Sequence, residues 1–309
     1  MKQQMRRRWA QETTRGYLYT VICSVCSGAV PTLFKLLLVN NGPVVVSGVA
    51  MMLSGVLLQA YRPGLKPPRG SIPYLLFLGL VGAGLAYVIW ATGISETTAV
   101  NASLLANAEV LFTALIAYSV LGERLRKGQA AVGLMIAAGI VIVSTNLDLS
   151  RVQFLQGLVG NLLIILSMVL WGVENNVIAA VAGRFGAPVM SKFRNLVGGV
   201  LIVVVVLLLG LPLKLTDYDA AVFLLLALAM SGTTYFFIAG IRLLGAVRMI
   251  LAYSLSTVFG AAFALLILGE QITGAQLAGG LIIVTGVYLF YRRDTPSGPP
   301  LASSRSDMT

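Results

Sequence analysis

The chain has no histidine, only two cysteines and only eleven acidic residues among its 309 positions. Without histidine, imidazole-based catalytic pairs are excluded, and with them the commonest metal ligand. Cys23 and Cys26 lie three apart inside an apolar run. With no His and no second Cys pair they cannot complete a tetrahedral metal set, so they read as small packing residues. No nucleotide-binding P-loop occurs, which removes ATP hydrolysis by this chain as a driving force. Charged residues make up 11% of the chain against 58% hydrophobic ones, and the mean hydropathy is +0.90. Too few polar side chains remain to coat a soluble globule of this size. A soluble enzyme, a disordered chain and a nucleic-acid reader are therefore all excluded.

What is present is a succession of long apolar segments. A membrane-spanning helix needs ~20 predominantly apolar residues. Ten such segments follow one another, at 16–39, 43–61, 72–94, 97–121, 129–147, 155–181, 187–211, 220–241, 246–269 and 274–291. Links such as Asn40-Asn41-Gly42 and Arg184-Phe185-Gly186 leave no room for a soluble domain. The alternating pattern of a membrane β-barrel is absent. The predicted fold is thus an all-α integral membrane bundle of ten transmembrane helices. The N-terminal stretch MKQQMRRRWAQETTRG is basic but too polar for a signal peptide, and no small-residue cleavage signature follows it. It is expected to stay attached. The tail from Arg292, with Pro296, Pro299 and Pro300, is expected to be disordered.

The formal net charge of +11 acquires a meaning once it is divided among the links. Ten spans place both termini on one side. Seventeen Lys and Arg fall on that side, from Lys2, Arg6, Arg7, Arg8 and Arg15 through the 61–71, 122–128, 182–186 and 242–248 links to Arg292, Arg293 and Arg305. Only Arg151 and Lys214 fall on the other, and Lys35, Lys192 and Arg194 lie within spans. Lys and Arg accumulate in cytoplasmic loops, so both termini are predicted to be cytoplasmic.

Shifting the chain by 147 positions aligns Gly93–Ser144 with Gly240–Tyr291 without a gap, and 17 of 52 positions are identical. Leu121-Gly122-Glu123 meets Leu268-Gly269-Glu270, Gln129 meets Gln276, and Gly133 and Gly139 meet Gly280 and Gly286. Apolar sequence repeats itself by chance, but this register of polar and glycine positions points to duplication. The unit is five helices, so the second copy must enter the bilayer from the opposite face. That predicts a basic segment at 1–15, five-helix repeats at 16–147 and 155–291 with inverted topology, and a tail at 292–309. Inverted repeats are the architecture of secondary transporters with a midplane site at the repeat interface.

The doubled Leu-Gly-Glu…Gln…Gly…Gly ending, the ten spans and the cytoplasmic termini resemble the drug/metabolite transporter superfamily, in particular its EamA-type exporters. The resemblance covers all ten spans and is most specific at 110–144 and 257–291. Phe193-Arg194 departs from the repeat, because Ser47-Gly48-Val49 occupies the corresponding part of span 2. The aromatic content of spans 3, 6, 8 and 9 is similar to that of YddG-type aromatic amino-acid exporters. The resemblance implies export of amino acids, aromatic ones above all, across a bacterial inner membrane.

A polar side chain at mid-bilayer costs ~2.5–3.5 kcal/mol on insertion scales, so it faces a cavity or a partner. Tyr87 and Trp90 are i, i+3 in span 3, and Trp171, Glu174, Asn175 and Ile178 share one face of span 6. With Tyr235 and Tyr253 these residues describe a pocket with aromatic walls. Asn101, Asn175 and Ser254 are the candidates for a zwitterionic head group, and Glu174 for its ammonium. Glu109, at the centre of span 4, reads either as a coupling group or as a structural hydrogen-bonder; Pro31, one turn before Lys35, reads as a gate hinge. Simpler readings stand beside these. Trp and Tyr also anchor at interfaces, span hydroxyls bond back to their own helix, and Lys35, Lys192, Arg194 and Arg248 can snorkel. The glycines of spans 5 and 10 read as close-packing positions.

No cofactor, metal or nucleic acid is called for. The expected partners are a small-molecule substrate and the lipid bilayer, and the oligomeric state stays open, a monomer included. Multidrug or organic-cation export competes within the superfamily, and facilitated diffusion competes with proton antiport. A channel lacks its ring of charge and a membrane enzyme its paired catalytic groups. The orientation has a direct test. A fluorescent protein fused after Thr309 should fluoresce, and alkaline phosphatase fused there should be inactive; the reverse result would invert the topology.

Overall fold

A computed structural model describes residues 2–61, 66–121, 127–147, 151–181 and 184–294, and every regular element among them is helical. Seven helices among these residues are long and apolar enough to cross a membrane: Gln11–Leu38, Pro43–Ala60, Ile72–Ser95, Ala99–Ala117, Gly157–Val181, Ala187–Leu208 and Asp217–Leu244. Three shorter apolar helices, Ala131–Val143, Leu255–Leu268 and Gly274–Leu289, stand where the other expected spans fall. The outward faces are greasy: Leu134, Leu207, Leu208, Leu266 and Leu281 are all exposed, an arrangement suited to hydrocarbon rather than water.

Both ends of the chain differ from expectation. The first helix runs without interruption over Lys2–Leu38, so the basic segment and the first span are one element. The last helix, Gly274–Asp294, takes in Arg292 and Arg293, the first residues of the expected tail. Positions 295–309, Gly122, Glu123 and Asp148 lie outside the described residues.

Three of the expected continuous spans are interrupted. Ala106 and Asn107 form a turn between the helices Ala99–Leu105 and Ala108–Leu121, and Ser254 separates Ala246–Tyr253 from Leu255–Phe263. At the first break the amide of Val110 reaches only to Asn107 O (3.2 Å), and at the second that of Thr257 reaches only to Ser254 O (3.1 Å). These two contracted bonds lie 147 positions apart, the register of the sequence repeat. The Asn107 side chain bonds its own Leu104 carbonyl at 3.3 Å, the local competition that makes Asn a poor helix-interior residue. Its amide also donates to Thr257 Oγ1 at 2.5 Å, which joins one break to the other.

The third interruption is a π-helical stretch, Leu78–Leu85, between the helices Ile72–Phe77 and Ala86–Ser95. Its glycines admit neighbours that a side chain would exclude: a Cβ on Gly82 would overlap the Glu174 carboxylate, and one on Gly79 would overlap Val197. π-turns occur often at functional sites, and this one packs against Glu174 and Trp171, which line the cavity described below.

The helices pair reciprocally. Lys2–Leu38 packs on Asp217–Leu244 and on Leu255–Phe263, while Arg151–Val181 packs on Ala86–Ser95 and on Ala108–Leu121. Pro43–Tyr61 packs on Ala187–Leu208, and Lys127–Thr145 on Gly274–Asp294. In the last pair Gly139 sits against Ile283 and Gly286 against Ile136, the same contact made twice with the partners exchanged. Helix ends are capped by side chains. Thr216 and Asp219 form a capping box, and the Glu270 carboxylate accepts the amides of Ala99 and Val100, each at 2.9 Å. The acid of the second Leu-Gly-Glu thus caps a helix of the first half, where the helix dipole favours negative charge.

At Gly199 an added Cβ would meet the Met52 backbone nitrogen at 2.6 Å and its Cα at 2.7 Å. Backbone cannot rotate away, so Gly199→Ala should cost about 1–3 kcal/mol. Gly274, with nothing within 4 Å of the same atom, should tolerate alanine. Thermal melting in detergent, followed by size exclusion, compares the two variants with the unaltered protein.

Candidate functional site

Many of the polar side chains inside the bundle line one cavity of about 100 Å³, part of it continuous with solvent. The cavity is bounded by both halves of the chain: Ser27, Pro31, Tyr87 and Glu109 from the first, Trp171, Arg194, Phe237 and Tyr253 from the second.

One wall is aromatic. Tyr87 and Trp90, one turn apart on Ala86–Ser95, meet Trp171 of Arg151–Val181. The ring centroids are 5.8 Å apart for Tyr87–Trp90, 5.1 Å for Tyr87–Trp171 and 6.1 Å for Trp90–Trp171, all tilted or edge-on. Such geometries match the ring quadrupole better than face-to-face stacking. The Trp171 indole donates to the Gly82 carbonyl at 2.9 Å, so the π-helical stretch orients the ring. Phe237 and Tyr253 meet edge-on at 5.1 Å and line the same cavity. The Tyr253 hydroxyl lies 2.5 Å from Ser27 Oγ.

Another part of the wall carries charge. Arg194 donates from Nε to Glu174 Oε1 at 2.6 Å and from Nη2 to Oε2 at 2.9 Å, a bidentate pair buried on both sides. Its Nη1 donates to Asn195 Oδ1 at 3.1 Å, and Asn195 is held in turn by Ser54 and Thr234. The guanidinium carbon lies 5.9 Å from the Tyr87 ring centroid. Burying these ions is costly, and the bidentate geometry with further hydrogen bonds is what offsets that cost. The second acid, Glu109, has a neutral partner: Asn175 Nδ2 donates to its Oε1 at 2.6 Å and also lies 3.2 Å from Thr113 Oγ1. Thr233 lines the cavity too, and its buried Oγ1 has no hydrogen-bond partner.

Eight of the twelve residues singled out in the sequence meet here: Pro31, Tyr87, Trp90, Glu109, Trp171, Glu174, Asn175 and Tyr253. Four do not line the cavity. Asn101 belongs to a polar layer at the helix ends, donating to Thr97 Oγ1 and Asn161 Oδ1 and accepting from Gln276. Tyr235 stacks edge-on against Phe236 at 5.2 Å. Ser254 marks the helix break between Tyr253 and Leu255. Lys35 is half-buried, in the field of Glu270 and Glu96. Arg194 and Lys192 do not snorkel. Both are buried, Arg194 in the ion pair and Lys192 with its ammonium 4.7 Å from the Phe193 ring centroid. Arg248's side chain lies outside the described residues. The one signal for Arg194 was its departure from the repeat together with an unmatched acid in the neighbouring span. The structure pairs Glu174, the expected ammonium partner, with Arg194, whereas Glu109 has only a neutral partner among the described residues.

A bundle of apolar helices around a polar cavity is the construction of a multi-pass membrane transporter. The chain belongs to the EamA-like transporter family, which it matches twice, over residues 14–145 and 158–292. It is 27% identical to a protein named an uncharacterized transporter from Methanothermobacter thermautotrophicus, across 93% of this chain and 87% of that one. It is similar at 24% identity to the uncharacterized transporter YyaM of Bacillus subtilis, across 75% and 78% of the two chains. A crystal structure superposes on the chain with a TM-score of 0.68 at 16% identity, covering 91% of this chain and 99% of that one, so the two share a fold.

The ion pair yields a prediction. Arg194→Ala strands Glu174 and should cost about 3–5 kcal/mol, whereas replacing both residues with apolar ones of similar volume should restore most of the loss. Melting temperatures of the single and double variants decide between coupled and independent roles.

Proposed function

We propose that this protein is a secondary transporter that exports small aromatic solutes bearing an amine, aromatic amino acids among them, from the cytoplasm. The carrying observation is the meeting of the Tyr87–Trp90–Trp171 wall with the Glu109–Asn175 pair in one cavity bounded by both halves. The rings offer edge and face contacts worth ~0.5–1.5 kcal/mol each beyond burial, and the carboxylate offers a partner for the amine.

In this reading residues 16–147 and 155–291 are inverted five-helix repeats making ten spans. Both termini are cytoplasmic, the membrane is a bacterial inner membrane, and the halves expose the cavity alternately to each side. The double family match, the reciprocal helix pairing and the matched breaks at Asn107 and Ser254 support it. Glu109 is the proposed coupling group, because a proton and a substrate ammonium compete for the same carboxylate. Pro31 lines the cavity inside the first helix, a placement suited to a hinge. Asn101 and Lys35 stand at the end of the bundle beyond the cavity, a placement suited to gating rather than to substrate contact.

Reconstituted vesicles test the proposal. Labelled tryptophan or phenylalanine should cross faster than in protein-free vesicles, with saturation and counterflow. Flux no faster than in empty vesicles would sink the substrate assignment, and flux without saturation or counterflow would indicate a channel.

A further inference from the structure

The charge balance of the cavity wall narrows the substrate further. Among the described residues, three side chains that ordinarily carry charge at neutral pH line it: Glu109, Glu174 and Arg194. Arg194 and Glu174 cancel, because both carboxylate oxygens of Glu174 are bonded to the guanidinium and the third nitrogen is bonded to Asn195. Glu109 has only the neutral amide of Asn175 as a hydrogen-bond partner among the described residues. With both acids ionised, the wall therefore carries one uncompensated negative charge and no uncommitted positive one.

A zwitterionic amino acid fits this wall with one end only. Its ammonium meets Glu109. Its carboxylate finds a single cation on the wall, already committed to Glu174, and would have to displace an internal carboxylate or be buried without a counter-charge. The second course costs several kcal/mol in a water-poor site. A ligand with the same ring and amine but no carboxylate escapes that cost. Its cation is also attracted to the faces of Tyr87, Trp90 and Trp171, rings that already lie within 6.1 Å of one another. The Thr233 hydroxyl, without a partner among the described residues, supplies one neutral hydrogen-bonding position, sufficient for an indole N–H or a phenol, and no counter-charge for a carboxylate.

We infer that the cavity selects aromatic monoamine cations over the corresponding zwitterionic amino acids, with Glu109 as the residue that sets this preference. The inference rests on the reading of the cavity as a site for aromatic solutes.

The test uses the purified full-length protein in detergent and three ligands sharing one ring: tryptamine, tryptophan and indole-3-propionate. Calorimetric titration should show tryptamine binding at least tenfold more tightly than tryptophan, with indole-3-propionate weakest. In Glu109→Gln the advantage of tryptamine over tryptophan should fall to within about twofold, while Glu109→Asp retains a preference of the same sign. Tryptophan binding as tightly as tryptamine, measurable preference for the propionate, or an undiminished amine preference in a folded Glu109→Gln variant would each overturn the inference and leave the aromatic-solute reading standing. Failure of all three ligands to bind would overturn that reading itself, and the inference with it. The ligand series on the unaltered protein decides the matter even where the variant does not fold.

Discussion

A bilayer offers no water to a backbone amide, so any departure from a continuous helix must be satisfied by the protein. That constraint organises this structure. The helix beginning at Ala99 has its first amides bound by Glu270, a residue from the other half of the chain. The turn at Ala106 and Asn107 keeps its bonds by contracting to i→i−3 spacing, and the Asn107 side chain ties the break to Thr257. The π-helical stretch supplies the Gly82 carbonyl to the Trp171 indole. Each of these irregularities is thus met by a side chain or a carbonyl from elsewhere in the bundle.

The same economy governs charge. Arg194 and Glu174 form a neutral unit held by two short bonds and a network through Asn195, Ser54, Thr234 and Ser231. Such a unit behaves as a rigid polar wall. Glu109 is bound to a side-chain amide instead. Two acids within one small site therefore differ, because one has a counter-ion and the other a neutral partner.

Much of the fold was legible in the sequence, because length and hydropathy mark the apolar helices and the 147-residue register marks glycines at which helices pack. Glycines at 139 and 286 read as packing positions and are found against Ile283 and Ile136. The breaks were not legible: Ala-Asn and Tyr-Ser are compatible with a continuous apolar helix, and only the contacts with Leu104 and Thr257 select the turn. Arg194 looked like a snorkelling cation because distance along a span says nothing of which side chain waits across the bundle. Asn101 looked like a substrate ligand for the converse reason. Its amide is occupied by Thr97, Asn161 and Gln276, three residues that no local pattern brings together.

The reciprocal contact of Gly139 with Ile283 and Gly286 with Ile136 carries a consequence for motion. When two copies of one unit trade conformations, a contact between a position and its own counterpart's neighbour maps onto its twin in the same helix pair. The interface of Lys127–Thr145 with Gly274–Asp294 is of this kind, and so is that of Pro43–Tyr61 with Ala187–Leu208. In the proposed alternating access these two seams are the ones suited to keep their packing, which would leave the travel to the pairs made by the first and sixth segments. Close glycine contacts are stiff and tolerate little sliding. Placed at the seams, they would leave the proposed movement to the helices that bear the cavity.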